Sequence, residues 1–257
     1  MTESTFPDLR DASVFVTGGG SGIGAALTEG FLRQGARVAF CGRSDYADFA
    51  AEMEAATGAK PLFLQADISD FDALAAAMDQ AAEAHGPITR LVNNAANDDR
   101  HDVLSVDADY WRAMIDVNLG AYVFACRHAI AGLKAANLRG RLVNFSSISY
   151  MMGNAGYPIY TAANAGITGL TRSLARQFGP DGIAVNAIAP GWVLTQKQLD
   201  QWATPEGLEA HLARQCLPEH LTPADMVAPT LFLASDASRM MTGQCIAVDG
   251  GVVTVAG

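Results

Sequence analysis

Basic residues are scarce in this chain of 257 residues, which has 17 Lys and Arg against 27 Asp and Glu and a formal net charge of −10. Nucleic-acid binding relies on clustered Lys and Arg that neutralise phosphates, so this balance argues against a nucleic-acid partner. The same scarcity argues against a basic amphipathic helix on a membrane surface. No apolar run reaches the roughly 18 residues that a transmembrane helix needs. The first residues also lack a basic-then-apolar signal pattern, so we expect no membrane partner.

Cysteine and histidine are also few. The four cysteines, Cys41, Cys126, Cys216 and Cys245, lie far apart and form no C-x-x-C pair, and the five histidines show no ligand spacing. This pattern predicts reduced cysteines that serve as packing residues in a cytoplasmic protein, with no disulfide framework and no metal site.

What is present is an alternation of two kinds of apolar segment. Short runs rich in β-branched or aromatic residues predict strands covered on both faces, at 13–17, 37–41, 61–65, 89–93, 141–145, 184–188 and 245–248. Between them lie Ala- and Leu-rich stretches with helical spacing, such as 22–34 and 70–85, the second capped by Ser69 or Asp70. Four glycines are expected just after helix ends: Gly35, Gly58, Gly86 and Gly179.

The alternation of strands and helices predicts one α/β domain over residues 1–257. The expected architecture is a single-domain Rossmann fold, a seven-stranded parallel, doubly wound sheet with helices on both faces. Segment 192–221 breaks the rhythm, because it is polar, contains Pro205 and Pro218 and falls between the sixth and seventh strands. Insertions there lie at the carboxyl ends of the strands, so we interpret it as a substrate lid. A surface excursion that only shields the core is the alternative.

A glycine-rich loop, TGGGSGIG at 17–24, joins the first predicted strand to the first helix. Glycines let a pyrophosphate approach the backbone, and the helix N-terminus offers free N–H groups and the positive end of its dipole. No Lys-Ser/Thr pair follows, which argues against an ATP- or GTP-type P-loop. The loop therefore predicts a dinucleotide site, and a tight turn without a ligand is the alternative. The expected contacts with the dinucleotide are Gly18, Gly20, Ser21, Gly22, Ile23 and Gly24.

The loop spacing T-G-x-x-x-G-x-G resembles that of the short-chain dehydrogenase/reductase family, and further motifs in order extend the resemblance nearly end to end. They are the NNAA run at 93–96, with Ala96 where the family has Gly; Asn118; Ser147, thirteen residues before Tyr160; Pro190-Gly191; and Asp249-Gly250-Gly251.

The resemblance implies a nicotinamide dinucleotide as cofactor. At the end of the second strand the expected Asp is replaced by Gly42, and Arg43 can pair with a 2′-phosphate, so NADP is favoured and NAD remains open. A solvated surface role is the alternative for Arg43. Asp67 would meet the adenine amino group, or else cap the following helix. Further cofactor contacts implied by the family are Ser44, Ile68, Asn94, Ala95, Ala96, Tyr160, Asn164, Pro190, Gly191, Val193 and Thr195.

The family also implies a catalytic set. Tyr160 would exchange the proton of the substrate hydroxyl, Ser147 would hold the substrate oxygen, and Asn118 would anchor a water chain. A Lys four residues after the Tyr would bind the nicotinamide ribose and lower the pKa of the Tyr. Here that residue is Asn164, and the only lysines are Lys60, Lys134 and Lys197, none of them near it in sequence. We therefore expect Tyr160 to keep a pKa near its reference value of about 10, with turnover strongly reduced and cofactor binding partly kept.

Three explanations of Asn164 stay open. A Lys-to-Asn change introduced by engineering is the one we favour, because Ser147, Tyr160 and Asn118 are otherwise intact. A natural enzyme with weak or altered catalysis is the second. A binding or regulatory protein that has lost activity is the third.

The substrate is suggested by the polar run 97–101 together with 202–207 and 215–217, which resemble the bacterial sugar 1-dehydrogenases of this family. These oxidise aldoses such as D-xylose or L-arabinose to lactones. Substrate contacts would come from Asn97, Asn154 and Trp192, beside Ser147 and Tyr160. Turn chemistry for Asn97 and Asp98 and packing for Trp192 are the alternatives. A dinucleotide-sensing protein and a dehydrogenase of another secondary alcohol remain alternatives for the whole chain. The resemblance further implies a homotetramer.

Overall fold

The described residues, 4–253 of this computed structural model, contain seven parallel strands in one sheet. The strands are β1 (Ser13–Thr17), β2 (Arg37–Gly42), β3 (Leu62–Gln65), β4 (Arg90–Asn93), β5 (Gly140–Phe145), β6 (Ile183–Pro190) and β7 (Cys245–Val248). Their order, β3-β2-β1-β4-β5-β6-β7, reverses between β1 and β4, where doubly wound sheets open a ligand crevice. The predicted fold class is confirmed, and each strand lies within two residues of its predicted bounds.

Helices cover both faces of this sheet. Along β1, Val14 and Val16 pack with Phe31 on one face, whereas Phe15 packs with Met78 on the other, as the two-residue period of a strand requires. The α-helices within residues 4–253 are α1 (Gly22–Arg33), α2 (Ala47–Thr57), α3 (Phe71–His85), α4 (Ala108–Ile115), α5 (Ala121–Ala135), α6 (Ser149–Met152), α7 (Pro158–Phe178), α8 (Gln196–Gln201), α9 (Pro205–Leu212) and α10 (Val227–Ala234).

Two local predictions are settled at helix ends. Asp70, rather than Ser69, caps α3, because its carboxylate accepts the backbone N–H groups of Asp72 and Ala73. Gly179 directly follows α7, as predicted, but it does not take the left-handed conformation of a C′ glycine: its φ is −53°, and the chain continues through a 3-10 turn until Gly182, at φ +76°, reverses it. The Pro that follows Gly179 has its φ fixed near the helical value, so the turn ends three residues later than the glycine pattern predicted.

A buried row of side-chain hydrogen bonds fixes α7 against the sheet. Asn93 Nδ2 donates to Asn144 Oδ1 at 2.9 Å, and Asn144 Nδ2 donates to Thr171 Oγ1 at 3.0 Å. All three side chains are buried, so replacing one would leave its neighbour's polar group unpaired inside the protein. The row therefore sets the position of α7 relative to β4 and β5.

The cysteine prediction holds only in part. All four thiols are free, and Cys41 and Cys126 are buried, but Cys216 is exposed and is not a packing residue. It lies in the polar segment after α9, where the chain runs over the surface. Within residues 4–253 no helix is long and apolar enough to cross a membrane, and no group of three acidic, His or Cys side chains could hold a metal ion. The outermost residues of the predicted domain, 1–3 and 254–257, lie outside the described range.

Candidate active site

One cleft of about 1110 Å³ collects nearly all the residues singled out from the sequence. It lies where the carboxyl ends of β1, β4, β5 and β6 meet. The predicted residues that line it are Gly18, Ser21, Gly22, Ile23, Arg43, Ser44, Asp67, Ile68, Asn94, Ala95, Ala96, Asn97, Asn118, Ser147, Asn154, Tyr160, Asn164, Pro190, Gly191, Trp192, Val193 and Thr195. Gly20 and Gly24 are the exceptions, and neither lines the cleft.

These two glycines act through close packing instead. A Cβ on Gly24 would collide with the carbonyl oxygen of Gly18, and one on Gly20 would enter the ring of Tyr46. At Gly24 the first turn of α1 lies so close to the loop that a side chain has no room, and at Gly20 the Tyr46 ring fills that space. Direct contact of either glycine with a dinucleotide stays a prediction.

The glycine-rich loop and the N-terminus of α1 together form a site that suits a pyrophosphate. Helix α1 starts at Gly22, and its N-cap residue Ser21 gives the first turn no side-chain hydrogen bond. The N–H groups at that end are left for a ligand, and the helix dipole favours an anion there. Gly18 takes a φ of +67°, in the left-handed region that glycine adopts readily. The residues present therefore fit a dinucleotide phosphate.

The adenosine end of this groove is lined by Gly42, Arg43, Ser44, Asp67 and Ile68. No carboxylate stands at Gly42, and the Arg43 side chain is exposed and borders the groove. The carboxylate of Asp67 accepts hydrogen bonds from the backbone and hydroxyl of Ser69 and does not cap α3. The alternative interpretation of Asp67 as the helix cap is thus wrong.

Asn118 holds the loop after β4 in place. It lies in a π-helical turn, Asp116–Gly120, a feature frequent at functional sites. Its Nδ2 donates to Asn97 O at 3.0 Å, and its Oδ1 accepts the Asn97 N–H at 2.8 Å. Nδ2 also donates to Met114 O. Nearly the whole amide is committed to protein, with one lone pair of Oδ1 left for a water.

Tyr160 stands in the first turn of α7, facing Ser147 across the cleft. The pKa of Tyr160 is raised to about 12, chiefly because the cleft removes water from its hydroxyl, and the Asp98 carboxylate and Tyr157 act in the same direction. Polar contacts from Ser147 and Asn164 oppose the rise. The expectation of a pKa near 10 is therefore wrong, because the sequence shows the missing cation but not the desolvation.

Asn164 lies one helical turn after Tyr160 and is 3% exposed. Its side-chain Nδ2 donates to Tyr160 O at 2.9 Å, and its backbone carbonyl oxygen accepts from Ser146 Oγ at 2.9 Å. The site where the family carries a cation is thus filled by a neutral, hydrogen-bonded amide.

Lys197, which is remote from Tyr160 in sequence, lines the same cleft. Its Nζ lies 2.7 Å from Asp98 Oδ1 and 3.5 Å from Asp99 Oδ1, so its charge is neutralised locally. Burial favours the neutral form of Asp98, but the Lys197 contacts outweigh it and lower the pKa of that carboxyl. Lys197 therefore enters the site as half of an ion pair and does not take the place of the missing Lys.

The start of segment 192–221 is tied to the loop after β4 by a short network. Gln198 Nε2 donates to Asp98 Oδ2 at 2.6 Å, and Gln198 Oε1 accepts from Trp192 Nε1 at 2.9 Å. The Trp192 ring lies edge-on to His211, with ring centroids 5.3 Å apart. Trp192 thus both packs and forms a wall of the cleft, while Asn97 serves partly as a turn residue, since its Oδ1 accepts the Asp99 N–H.

Several cleft residues were missed by the sequence reasoning. Arg100 lies over the ring of Tyr157 at 4.0 Å and near that of Trp202 at 5.2 Å. Tyr157 also receives a hydrogen bond from Asn154 Nδ2 at 2.9 Å and lies edge-on to Tyr160. The polar run 97–101 was a signal for Arg100, but no pattern could show which aromatic rings it meets.

Comparison with known proteins agrees with this geometry. The family model described as enoyl-(acyl carrier protein) reductase matches residues 18–253. A Rhizobium meliloti protein named "probable galactose dehydrogenase GalD" is 47% identical over 98% of this chain and 99% of that protein. The D-xylose 1-dehydrogenase of Caulobacter vibrioides is 40% identical over 98% and 99% of the two chains.

Solved structures show the same likeness. A short-chain type dehydrogenase/reductase from Mycobacterium ulcerans has a TM-score of 0.91 and 28% identity, covering 99% of this chain and 93% of that chain. A candidate 2-deoxy-D-gluconate 3-dehydrogenase from Agrobacterium tumefaciens, crystallised with bound NADP, has a TM-score of 0.89 and 30% identity. It covers 98% of this chain and 100% of its own.

Proposed function

Since the chain belongs to the short-chain dehydrogenase/reductase family, we propose that it is an NAD(P)-dependent aldose dehydrogenase that oxidises the anomeric hydroxyl of a sugar to a lactone. At the level of the family, NAD(P)-dependent sugar dehydrogenation is supported by the relatives named above. The observation that carries the finer proposal is that Ser147 and Tyr160 meet the glycine loop in one cleft whose far wall is polar and aromatic.

The charges at that wall favour a neutral sugar over a sugar acid. Asp98 and Asp99 are negative, Lys197 and Arg100 are positive, and all four lie close together after β4 and in α8. Their charges cancel, so this wall of the cleft has no net charge to attract an anionic substrate. Amide groups and aromatic rings, here Asn154 and Trp192 beside them, suit hydroxyl groups and the apolar face of a sugar ring.

In this proposal Ser147 holds the anomeric oxygen, and Tyr160 takes the proton from the anomeric hydroxyl as its carbonyl forms. A bound nicotinamide would supply the acceptor for the hydride of the anomeric carbon, so that loss of the proton and the hydride would leave a lactone. Asn164 would hydrogen-bond the nicotinamide ribose but would supply no charge. With a Tyr160 pKa of about 12, roughly one hydroxyl in 100,000 is ionised at pH 7, so turnover is strongly impaired.

The same low ionised fraction favours a second candidate, a dinucleotide-binding regulatory protein without catalysis. It keeps the cofactor groove and does not need the phenolate. Sugar oxidation by this chain separates the two functions, because a regulatory protein would bind the dinucleotide and stay inactive at every pH.

The test is a panel of aldoses, secondary alcohols and small ketones, followed at 340 nm with NADP and with NAD, with lactone identified as product. It is run on this chain and on Asn164→Lys. Aldose oxidation by either supports the proposal. Cofactor binding with no turnover of any compound by both favours the regulatory protein, and turnover of the alcohols or ketones alone keeps Tyr160 as the base and discards the sugar.

We further propose a homotetramer and a substrate lid formed by segment 192–221. Apolar side chains remain exposed on α4 and α5, among them Trp111 and Phe124, as expected of a surface that pairs with another copy. Light scattering of the eluting protein tests the assembly, and a monomer would contradict it. Hydrogen exchange in α8 and α9 that slows only when cofactor and sugar are both present tests the lid. Location in the cytoplasm remains a prediction.

A further inference from the structure

The guanidinium of Arg100 lies against two aromatic rings that line the cleft. Its Cζ lies 4.0 Å from the ring centroid of Tyr157 and 5.2 Å from that of Trp202. Tyr157 is itself fixed, because its hydroxyl accepts from Asn154 and its ring packs on Tyr160 at 5.5 Å between centroids. Contact with two rings restricts the orientation of this charged group, although its side chain is exposed.

The hydrogen-bonding groups of Arg100 have no protein partner. Within residues 4–253 no hydrogen bond or ion pair involves its guanidinium, while the neighbouring Asp98 and Asp99 carboxylates are paired with Lys197. Aromatic rings meet the face of a guanidinium and leave the N–H groups at its edge. Arg100 therefore presents a planar fork of donors beside the same cleft that Tyr160 and Ser147 line.

The position of this fork relative to Tyr160 defines what it can contact. The Tyr157 ring contacts both Arg100 and Tyr160, so one aromatic ring links the fork to the residue that carries the reacting hydroxyl. A sugar with its anomeric oxygen at Tyr160 would reach Arg100 with the carbons on the opposite side of its ring. Two neighbouring hydroxyls on those carbons would offer two oxygen acceptors to two N–H donors of the Arg100 guanidinium.

We propose that Arg100 is a specificity-determining residue that donates hydrogen bonds to a pair of hydroxyls on the sugar carbons remote from the anomeric carbon. The inference rests on the proposed function, which supplies the sugar. Because the surrounding charges cancel, the recognised pair belongs to a neutral sugar and not to a carboxylate. Hydrogen bonds from a charged donor make the expected contribution about 10- to 100-fold in affinity.

The experiment measures binding, so it does not depend on the impaired turnover. Aldoses and their deoxy analogues, each lacking one hydroxyl remote from the anomeric carbon, are titrated into the chain saturated with NADP by calorimetry. The variants are Arg100→Met, which keeps the chain length without donors, and Arg100→Lys, which keeps the charge without the fork. Arg112→Met is the matched control, since Arg112 is exposed on α4, pairs with Asp109 and does not line the cleft.

This chain is expected to bind at least one deoxy analogue about 10- to 100-fold more weakly than its parent sugar. Arg100→Met is expected to bind the parent sugar as weakly as it binds that deoxy analogue, so the difference in affinity between the two sugars disappears. Arg100→Lys is expected to keep part of this difference. NADP affinity stays unchanged in every variant, and Arg112→Met behaves like the original chain.

Two results overturn the inference alone. One is a deoxy penalty that survives intact in Arg100→Met, which would place the hydroxyl elsewhere. The other is tighter binding of aldonates or uronates than of neutral sugars that is lost in Arg100→Met, which would make Arg100 a carboxylate site. If this chain saturated with NADP binds no sugar at all, the proposed function itself fails, and the inference fails with it.

Discussion

The two ends of the cleft are built in different ways. The phosphate part of the dinucleotide end consists of the backbone of one continuous segment, the loop from β1 into α1, and Asn94 fixes this loop because its Nδ2 donates to Thr17 O and Gly18 O. The substrate end consists of side chains from three separate segments, and the Asp98–Gln198 hydrogen bond joins residues 100 positions apart. A site formed by closely packed backbone has almost no room for added atoms. At a site formed by side chains, a single substitution can change substrate affinity or rate without disturbing the backbone.

Asn164→Lys tests how much one side chain at the substrate end can change the rate of aldose oxidation. A cation one helical turn from Tyr160 should lower the pKa of Tyr160 by two to three units, which raises the phenolate fraction about 100- to 1000-fold at pH 7. Aldose oxidation should rise by that order while NADP affinity stays within a few-fold. Asn164→Met, of similar length but uncharged, is the control, and an equal gain in both variants would rule out the electrostatic explanation.

The pH profile refines this prediction. Because the pKa of Tyr160 is about 12, oxidation by the unmodified chain should increase about tenfold per pH unit up to pH 10 without a plateau. Asn164→Lys should reach its plateau at lower pH, since its phenolate forms earlier. The gain in rate of Asn164→Lys over the unmodified chain should therefore persist at pH 10. If Tyr160 had an ordinary pKa of about 10, the unmodified chain would already be half ionised at that pH and the gain would be small. Initial rates between pH 7 and 10, with folding checked by circular dichroism, decide the matter.

Gly24→Ala tests the opposite end, where added atoms should not fit. The new Cβ would collide with the Gly18 carbonyl oxygen and approach Asn94 Nδ2 at 2.8 Å. We expect a loss of stability of about 1–3 kcal/mol from overpacking and a loss of NADP affinity of about 10- to 100-fold.

Gly132→Ala is the matched control for Gly24→Ala, because Gly132 lies in α5 with nothing within 4 Å of its added Cβ. That change should stabilise the protein by about 0.5–1 kcal/mol and leave NADP affinity unchanged. Urea unfolding and fluorescence titration measure both effects. Normal NADP binding by a folded Gly24→Ala variant would show that the loop is less constrained than its packing indicates.

Arg43→Leu tests whether one side chain at the dinucleotide end determines the preference for NADP over NAD. NADP affinity should fall about tenfold and NAD affinity little, because only NADP has the 2′-phosphate that the guanidinium would pair with. This change is cleaner than Gly42→Asp, since a Cβ on Gly42 would lie 2.7 Å from Tyr46 Cε2 and displace that ring. Both cofactors are titrated by fluorescence, and equal losses for the two would end the assignment of Arg43 to the phosphate.

Asp98→Asn should have the smallest effect, because it changes the network that joins segment 192–221 to the loop after β4. Losing the Lys197 ion pair should raise the KM for the sugar by about three- to fivefold, a modest change because both partners are partly exposed. Removing the carboxylate also lowers the pKa of Tyr160, so the rising limb of the rate profile should move to lower pH.

Asp99→Asn is the control for Asp98→Asn, because Asp99 also faces Lys197, at 3.5 Å, and is not among the groups that shift the pKa of Tyr160. Both variants are measured with Asn164→Lys present, so that rates are large enough to compare. A rate profile that moves equally in both would assign the shift to the general loss of charge and not to Asp98.

Sequence by itself determined the local features of this protein. The strands, the glycine loop and a cap at Ser69 or Asp70 could be predicted, because each depends on residues adjacent in the chain or on a short period. The missing cation at Asn164 could be predicted because the resemblance to a family supplied the expected Lys. Strand burial and helix spacing repeat every two or 3.6 residues, so they are visible without the fold.

Only the tertiary structure decided which distant groups meet, and what their meeting does. It brought Lys197 beside Asp98, placed Arg100 against Tyr157 and Trp202, and desolvated Tyr160 enough to raise its pKa to about 12. Electrostatic and desolvation effects depend on distances through space and on the water excluded at each position, and neither follows from the order of residues along the chain.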